Sequence, residues 1–478
     1  MIRYIVGSII MLEAALLLLP ILTAIVYGEW NTLRVFAGSV LFCIVAGALL
    51  RGKKPENTTI FSVEGYVSVA LCWVALSICG AIPLCVSGVL PNPFDAFFEI
   101  VSGFTTTGSS VMQSVESAPR AILMWRSFTH WVGGMGVLVF MLALLPMAGP
   151  SSMHLMKAES PGPSVGKLVP KVRSTAKILY QIYFVLTVVM LVCMILTGCP
   201  LFDSINLTFA TAGTGGFGVL DSSAAEYGAA TQWVMTIFMI LFGVNFNVYF
   251  LFYVKRFKEG MKSEEAHAYL GIIASAVLLI SVNIFYMVKN LELTVRQAAF
   301  QVASIITTTG FSSVDFDLWP EFSKGILVLL MFCGACAGST GGGMKVSRLC
   351  IMAKTVMKEL AFIIHPRNVR KTRFEGKTVE HEVLRSINVF LVAYLGIFVL
   401  SVMLISLDNF DFTTNFTAVA ATLNNIGPGL AKVGPTQNFG IYSNFSKLVL
   451  AFDMLAGRLE IFPMLVPMIY LLRKKQLS

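Results

Sequence analysis

Charged side chains are scarce in this 478-residue chain: Asp, Glu, Lys and Arg together make up 13%, about half the share found in soluble globular proteins. That deficit excludes a soluble domain of this length. Histidine is scarcer still, with five residues, and none stands with cysteine at a metal-site spacing. His381-Glu382 lacks the second histidine of a zinc-protease helix, and Gly338-Ser-Thr-Gly-Gly-Gly343 is followed by Met344-Lys345, so the phosphate-loop order of glycine then lysine is missed. Cys333-Gly-Ala-Cys336 has the spacing of a redox pair but lies in a hydrophobic run without flanking strand pattern, so the nine cysteines read as packing residues. Enzyme signatures are absent, and the chain is expected not to be an enzyme.

Hydrophobic residues supply 56% of the chain, and the mean hydropathy is +0.78. Stretches of about 20 apolar residues recur, each long enough to cross a bilayer core. Ten are expected, near 4–27, 33–50, 66–89, 125–147, 176–197, 232–254, 268–288, 324–344, 386–407 and 447–472, with the eighth broken near its end. The first resembles a signal peptide, but its apolar run is too long and no clean small-x-small site follows, so it is read as a retained helix. Placing the N-terminus inside makes alternate loops cytoplasmic. Those loops hold most of the 35 Lys and Arg, including the basic segment from Lys345 to Arg385. The positive-inside rule supports that orientation, with both termini cytoplasmic. The net charge of +9 then needs no nucleic-acid partner.

Four short, uncharged, glycine-bearing stretches interrupt the hydrophobic sequence. They are Phe104-Thr-Thr106-Thr107-Gly108-Ser109, Ala212-Gly-Thr214-Gly215-Gly216-Phe217, Ile306-Thr-Thr308-Thr309-Gly310-Phe311 and Leu423-Asn-Asn425-Ile426-Gly427-Pro428. The aligned glycines lie roughly a hundred residues apart, an internal fourfold repeat. After two leading helices (1–58), the repeats occupy 59–150, 151–262, 263–380 and 381–478. Each reads as span, re-entrant half-helix, loop, span. Polar starts such as Phe94-Asp95 and Phe202-Asp203 suggest Asp as the half-helix N-cap. A half-helix pointing its carbonyl end inward favours a cation in a central cavity. Glycine suits a loop that turns its carbonyls toward an axis. Thr107, Gly215, Thr309 and Ile426 precede the aligned glycine, and Thr106, Thr214, Thr308 and Asn425 stand one position earlier. The side chains differ around the ring, whereas each position supplies a carbonyl, and no carboxylate is present. A short carbonyl filter for a monovalent cation is the expectation.

These residues resemble the Trk/Ktr/HKT superfamily of potassium transporters, and the resemblance covers essentially the whole chain. In that family four span–pore-loop–span repeats surround one permeation path, with one filter glycine each, here Gly108, Gly216, Gly310 and Gly427. The leading helices match the longer, bacterial Trk form. Gly334-Ala-Cys-Ala-Gly338-Ser-Thr-Gly341-Gly342-Gly343-Met-Lys345 resembles the family's intramembrane loop beneath the filter, and Arg458 in Met454-Leu-Ala-Gly-Arg-Leu-Glu460 resembles its pore-facing arginine. Two departures stand out: three glycines in the second loop, and Asn425-Ile426 in the fourth. The resemblance implies an all-α polytopic protein of the bacterial inner membrane, a homodimer, that takes up potassium through a gated pore driven by membrane potential. It also implies a cytosolic TrkA-like subunit that binds NAD or ATP, so the regulatory nucleotide belongs to the partner, and potassium is substrate rather than cofactor. Arg458 is expected to act as an electrostatic barrier or a latch on the 334–345 loop. The alternative is a sodium- or proton-coupled symporter, for which Glu13, Glu99, Asp453 and Glu460 are the candidate carboxylates. A membrane-embedded enzyme or a structural scaffold explains the four loops poorly.

Overall fold

The computed structural model describes residues 1–53, 62–136, 172–366 and 371–476. The repeat boundaries expected at 58/59 and 150/151 lie outside the described residues. Helices dominate, and the one sheet among the described residues is a two-stranded hairpin, Arg373–Phe374 with Lys377–Thr378. The leading helices run Ile2–Leu16, Leu18–Val26 and Trp30–Arg51. They cross closely at Gly7 and Gly47, where a Cβ on Gly7 would come within 2.7 Å of the Gly47 carbonyl oxygen. Small residues at such crossings let backbones approach where water supplies no driving force.

Four modules follow. The first spans, Ser62–Val86, Val172–Leu196, Glu264–Val288 and His381–Ile405, are each 25 residues long. Each leads into a short pore helix: Pro93–Phe104, Leu201–Gly213, Leu291–Ile306 and Phe412–Leu423. Their starts differ from expectation. Asn92, Asn290 and Asp411 cap the first, third and fourth, accepting from backbone N–H groups in the first turn. Asp95 and Asp203 instead lie inside the first turn, where their charge faces the positive helix end without capping it. Pro93 and Pro200 set the chain direction at the two starts, so the cap position moves upstream of the aspartates.

The second spans are shorter and more broken than the first. Among the described residues, six helices are long and apolar enough to cross a membrane, or seven if one bent pair counts as a span, and the expected span near 125–147 lies partly outside the described residues. Arg120–Gly134 and Asn444–Arg458 have 15 residues and Glu321–Cys333 has 13, so each is about 20–22 Å long, short of the ~30 Å hydrocarbon core. In repeat two, Ala229–Gly243 meets Phe246–Tyr253 at 85°. In repeat three the chain leaves helix at Cys333 and re-enters at Val346–Ile364. In repeat four, Glu460 and Ile461 take φ of 56° and 69° before Phe462–Gln476 resumes. A β-branched residue in that region is an outlier held by its surroundings. Away from these breaks the outward faces are apolar, with Leu41, Leu49, Leu278, Val282 and Val392 exposed.

Candidate functional site

All four pore helices end the same way. Thr106, Thr214, Thr308 and Asn425 adopt left-handed φ of 55°, 56°, 58° and 55°. The following residue donates its N–H five positions back: Thr107 to Ser102, Gly215 to Ala210, Thr309 to Ser304 and Ile426 to Ala421, each at 2.8 Å. The left-handed residue itself donates three positions back, to Gly103, Thr211, Ile305 and Thr422. This is the Schellman closure of a helix, which glycine normally carries. Here a threonine takes the position three times, at a local cost of order 1–3 kcal/mol each. Next comes the aligned glycine, with φ of 82°, 80°, 89° and 104° at Gly108, Gly216, Gly310 and Gly427.

These glycines join the loops into a closed ring. A Cβ on Gly108 would overlap the carbonyl oxygen of Gly215, one on Gly216 that of Thr309, and one on Gly310 that of Ile426. A Cβ on Gly427 would lie 2.9 Å from the Thr107 oxygen. Each glycine thus rests on the carbonyl preceding the glycine of the next repeat, in the order one, two, three, four, one. The extra glycines of the second loop have separate causes. Added side chains at Gly213 and Gly215 would collide with the His130 carbonyl and the His130 ring. His130 bridges two repeats: Nδ1 lies 2.8 Å from the Gly103 oxygen, and Nε2 accepts from Phe217 N–H at 3.3 Å. Those two contacts together require a neutral ring protonated at Nδ1.

Behind the first loop, Glu99 accepts from Arg126 at 2.7 Å, from Ser110 Oγ at 2.9 Å and from Val111 N–H at 2.9 Å, fully buried. Arg126 also lies 4.0 Å over the Phe217 ring. Glu99 is therefore a brace between pore helix and loop. The other carboxylates singled out from sequence sit elsewhere. Asp453 accepts from Ser401, Glu460 pairs with Arg348, and Glu13 is buried between the leading helices and the first span of repeat one, beside Cys43 and Cys79. None is among the residues that form the ring.

The 334–345 segment lies against the pore-helix ends. A Cβ on Gly341 would come within 3.0 Å of the Thr307 oxygen, and one on Gly342 within 2.8 Å of the Asn424 oxygen. Gly342 N–H donates to Thr308 Oγ1 at 2.7 Å, while Gly338 and Gly343 take left-handed φ of 66° and 68°. Lys345, the first residue of the basic segment, is buried, its Nζ donating to the Gly341 and Gly342 oxygens. The oxygens of the bent-back segment meet its ammonium, which explains how it is accommodated at that depth. Arg458 ends its helix and joins three repeats, donating to Thr340 O at 2.7 Å and to Gly133 O and Gly134 O at 2.6 Å each.

Comparison with known proteins decides the relationship. Residues 32–478 match the family model TrkH, described as a cation transport protein. The chain belongs to the TrkH family. Among curated relatives of the TrkH family, the Trk system potassium uptake protein TrkH of Salmonella typhimurium is 34% identical over 470 residues, covering 97% of this chain and 96% of that protein. The same-named protein of Vibrio parahaemolyticus is 35% identical over 480 residues, with the same coverage. The crystal structure of the potassium transporter TrkH from Vibrio parahaemolyticus superposes with a TM-score of 0.87 at 32% identity, covering 97% of both chains. The chain is thus a helical polytopic membrane protein with a transport fold rather than an enzyme.

Sequence reasoning missed several residues around this site. Asn245 and Glu265 hold the 334–345 segment, and His130 fixes the second loop. Each acts through a partner far away in sequence, so local pattern carries no trace of it. Gly133 and Gly457 did have a signal: small residues where the second spans meet the carbonyl ends of the first and fourth pore helices.

Proposed function

We propose that this protein is a potassium-selective uptake pore of the bacterial inner membrane, gated at the 334–345 loop. The observation that carries the reading is the fourfold helix termination whose glycines close on one another's carbonyls. Such a ring presents backbone oxygens and no carboxylate, as a filter for a weakly hydrated monovalent cation does. Thr106, Thr107, Gly108, Thr214, Gly215, Gly216, Thr308, Thr309, Gly310, Asn425, Ile426 and Gly427 form this filter. The named relatives being potassium uptake proteins supports potassium as the ion. Gly338, Gly341, Gly342, Gly343 and Lys345 form the gate, and Arg458 latches it from the side of repeats one and four. A TrkA-like cytosolic subunit binding NAD or ATP controls the gate, and the working unit is a homodimer with both termini cytoplasmic.

Purified protein in liposomes tests the reading. Under an imposed inside-negative potential, potassium should enter far faster than sodium. Equal permeation of the two ions would remove the filter assignment.

A further inference from the structure

The 334–345 loop is pinned at both ends by one carboxylate. Ala337 N–H, near its start, donates to Glu265 Oε1 at 2.7 Å, and Ser347 N–H, just past its end, donates to the same oxygen at 3.1 Å. The second oxygen accepts from Asn245 Nδ2 at 3.1 Å. Asn245 lies at the bend of repeat two, where Phe246 N–H donates to Gly338 O and Cys336 N–H donates to Gly243 O. Glu265 thus ties both ends of the loop to the bend of repeat two, alongside those backbone bonds, and it is 2% exposed. Hydrogen bonds to an ionised carboxylate are about twice as strong as neutral ones, so removing this acceptor leaves the loop's two end amides without it.

Glu265 is also the second residue of its helix, Glu264–Val288. Its own N–H, one of the helix-start donors with no partner inside the helix, donates to Glu375 Oε1 at 3.1 Å, and Ser263 Oγ donates to the same oxygen at 2.9 Å. Glu375 forms the tip of the hairpin Arg373–Thr378. With φ of 49° there and 72° at Gly376, the tip is a tight two-residue turn. The contact is reciprocal: Glu375 N–H donates to Glu264 Oε2 at 3.2 Å, and Lys354, paired with Glu264, donates to Arg373 O at 3.0 Å. Phe374 roots the hairpin among Ile351, Val379 and Ile387.

We infer that Glu265 is the positioning residue of the intramembrane loop and that the hairpin Arg373–Thr378 is its handle. Pulling the Glu375 tip away from Ser263 and Glu265 shifts the helix start and slackens the hold on Ala337 and Ser347. The inference rests on the reading of that loop as the gate. It adds where force enters and through which atoms it reaches the loop.

The test uses full-length protein in liposomes with two readouts, amide hydrogen exchange across 334–347 and potassium flux. Glu265→Gln keeps the side chain's size but loses the charge, so the oxygen facing Ala337 and Ser347 becomes a weaker, neutral acceptor and an NH2 group replaces the oxygen that accepts from Asn245 Nδ2. Loop exchange should quicken by about tenfold or more, and flux should rise. Glu375→Ala removes the tip carboxylate without touching the loop, and it too should quicken exchange at 334–347. Faster exchange confined to the hairpin in Glu375→Ala would overturn the coupling. A loop-shortened variant separates the two ideas. If shortening raises flux while Glu265→Gln exchanges and conducts like the parent, the gate stands and this inference falls. If shortening leaves flux unchanged while both point variants quicken loop exchange, the mechanical link stands and the gate reading falls.

Discussion

A left-handed threonine is the residue-scale signature of this protein. Thr106, Thr214 and Thr308 hold a conformation that β-branched side chains avoid, and the glycine two positions on completes the turn. The ring contacts make the glycines unequal. Gly108, Gly216 and Gly310 have their Cβ positions filled by a neighbouring carbonyl oxygen, whereas Gly427 leaves 2.9 Å. Gly310→Ser should therefore lower potassium flux or admit sodium, shifting the permeability ratio by about tenfold or more, since 1.4 kcal/mol suffices for that factor. Gly108→Ser should match it, and Gly427→Ser should be milder. Parent-like potassium/sodium ratios in all three would dismiss the filter. Arg458 gives a second residue-scale expectation. Its guanidinium fork donates to three carbonyls on two other repeats, a geometry that neither Gln nor Lys reproduces. Arg458→Gln should raise flux per folded molecule without changing selectivity. Arg458→Lys keeps the charge and loses the fork, so it should raise flux as well if the latch dominates and leave flux low if charge repulsion dominates. A variant that folds poorly with unaltered unit flux would instead mark Arg458 as structural.

Among the elements, the broken second spans matter most. Long apolar runs and glycine loops were legible because composition and backbone permissiveness are local properties. The breaks at Val244-Asn245 and Glu460-Ile461 were less so: no proline stands near the first, and at the second the charged Arg458 and Glu460 and the following Pro463 signal irregularity without saying where the helix ends. Physically, each break brings a helix end up to a partner that sequence does not display: Phe246 N–H to Gly338 O, and Glu460 to Arg348. The third break was legible, since five glycines in twelve residues disfavour helix at about 1 kcal/mol apiece. Its contacts explain why glycine recurs there. Gly341 and Gly342 leave no room for a side chain beside the Thr307 and Asn424 oxygens. Shortening 334–345 should raise potassium flux severalfold and weaken control by the proposed cytosolic subunit. A folded deletion variant conducting no faster than the parent would show that the segment is a static kink.

For the whole molecule, one asymmetry organises the rest. The ring draws on all four repeats, but the 334–345 loop proposed as the gate belongs to repeat three, and its fastenings to the other repeats run through Arg458, Asn245 and the Asn424 carbonyl. Energy for uptake must come from outside such a pore. An inside-negative potential of 100 mV acts on one charge with about 2.3 kcal/mol, enough to hold a potassium gradient of roughly fifty-fold. On the proposed reading a coupling ion is unnecessary. The carboxylates a symporter would recruit are engaged structurally at Glu99 and Glu460, while Asp453 meets Ser401 and Glu13 lies between the leading helices and the first span of repeat one. Potassium entry into liposomes should therefore follow the imposed potential with no sodium present and with pH equal on both sides. Its reversal potential should sit at the potassium equilibrium value, unmoved by a tenfold sodium or proton gradient. A reversal that shifts by tens of millivolts with either gradient would establish coupled transport and return one of those carboxylates to the transport cycle.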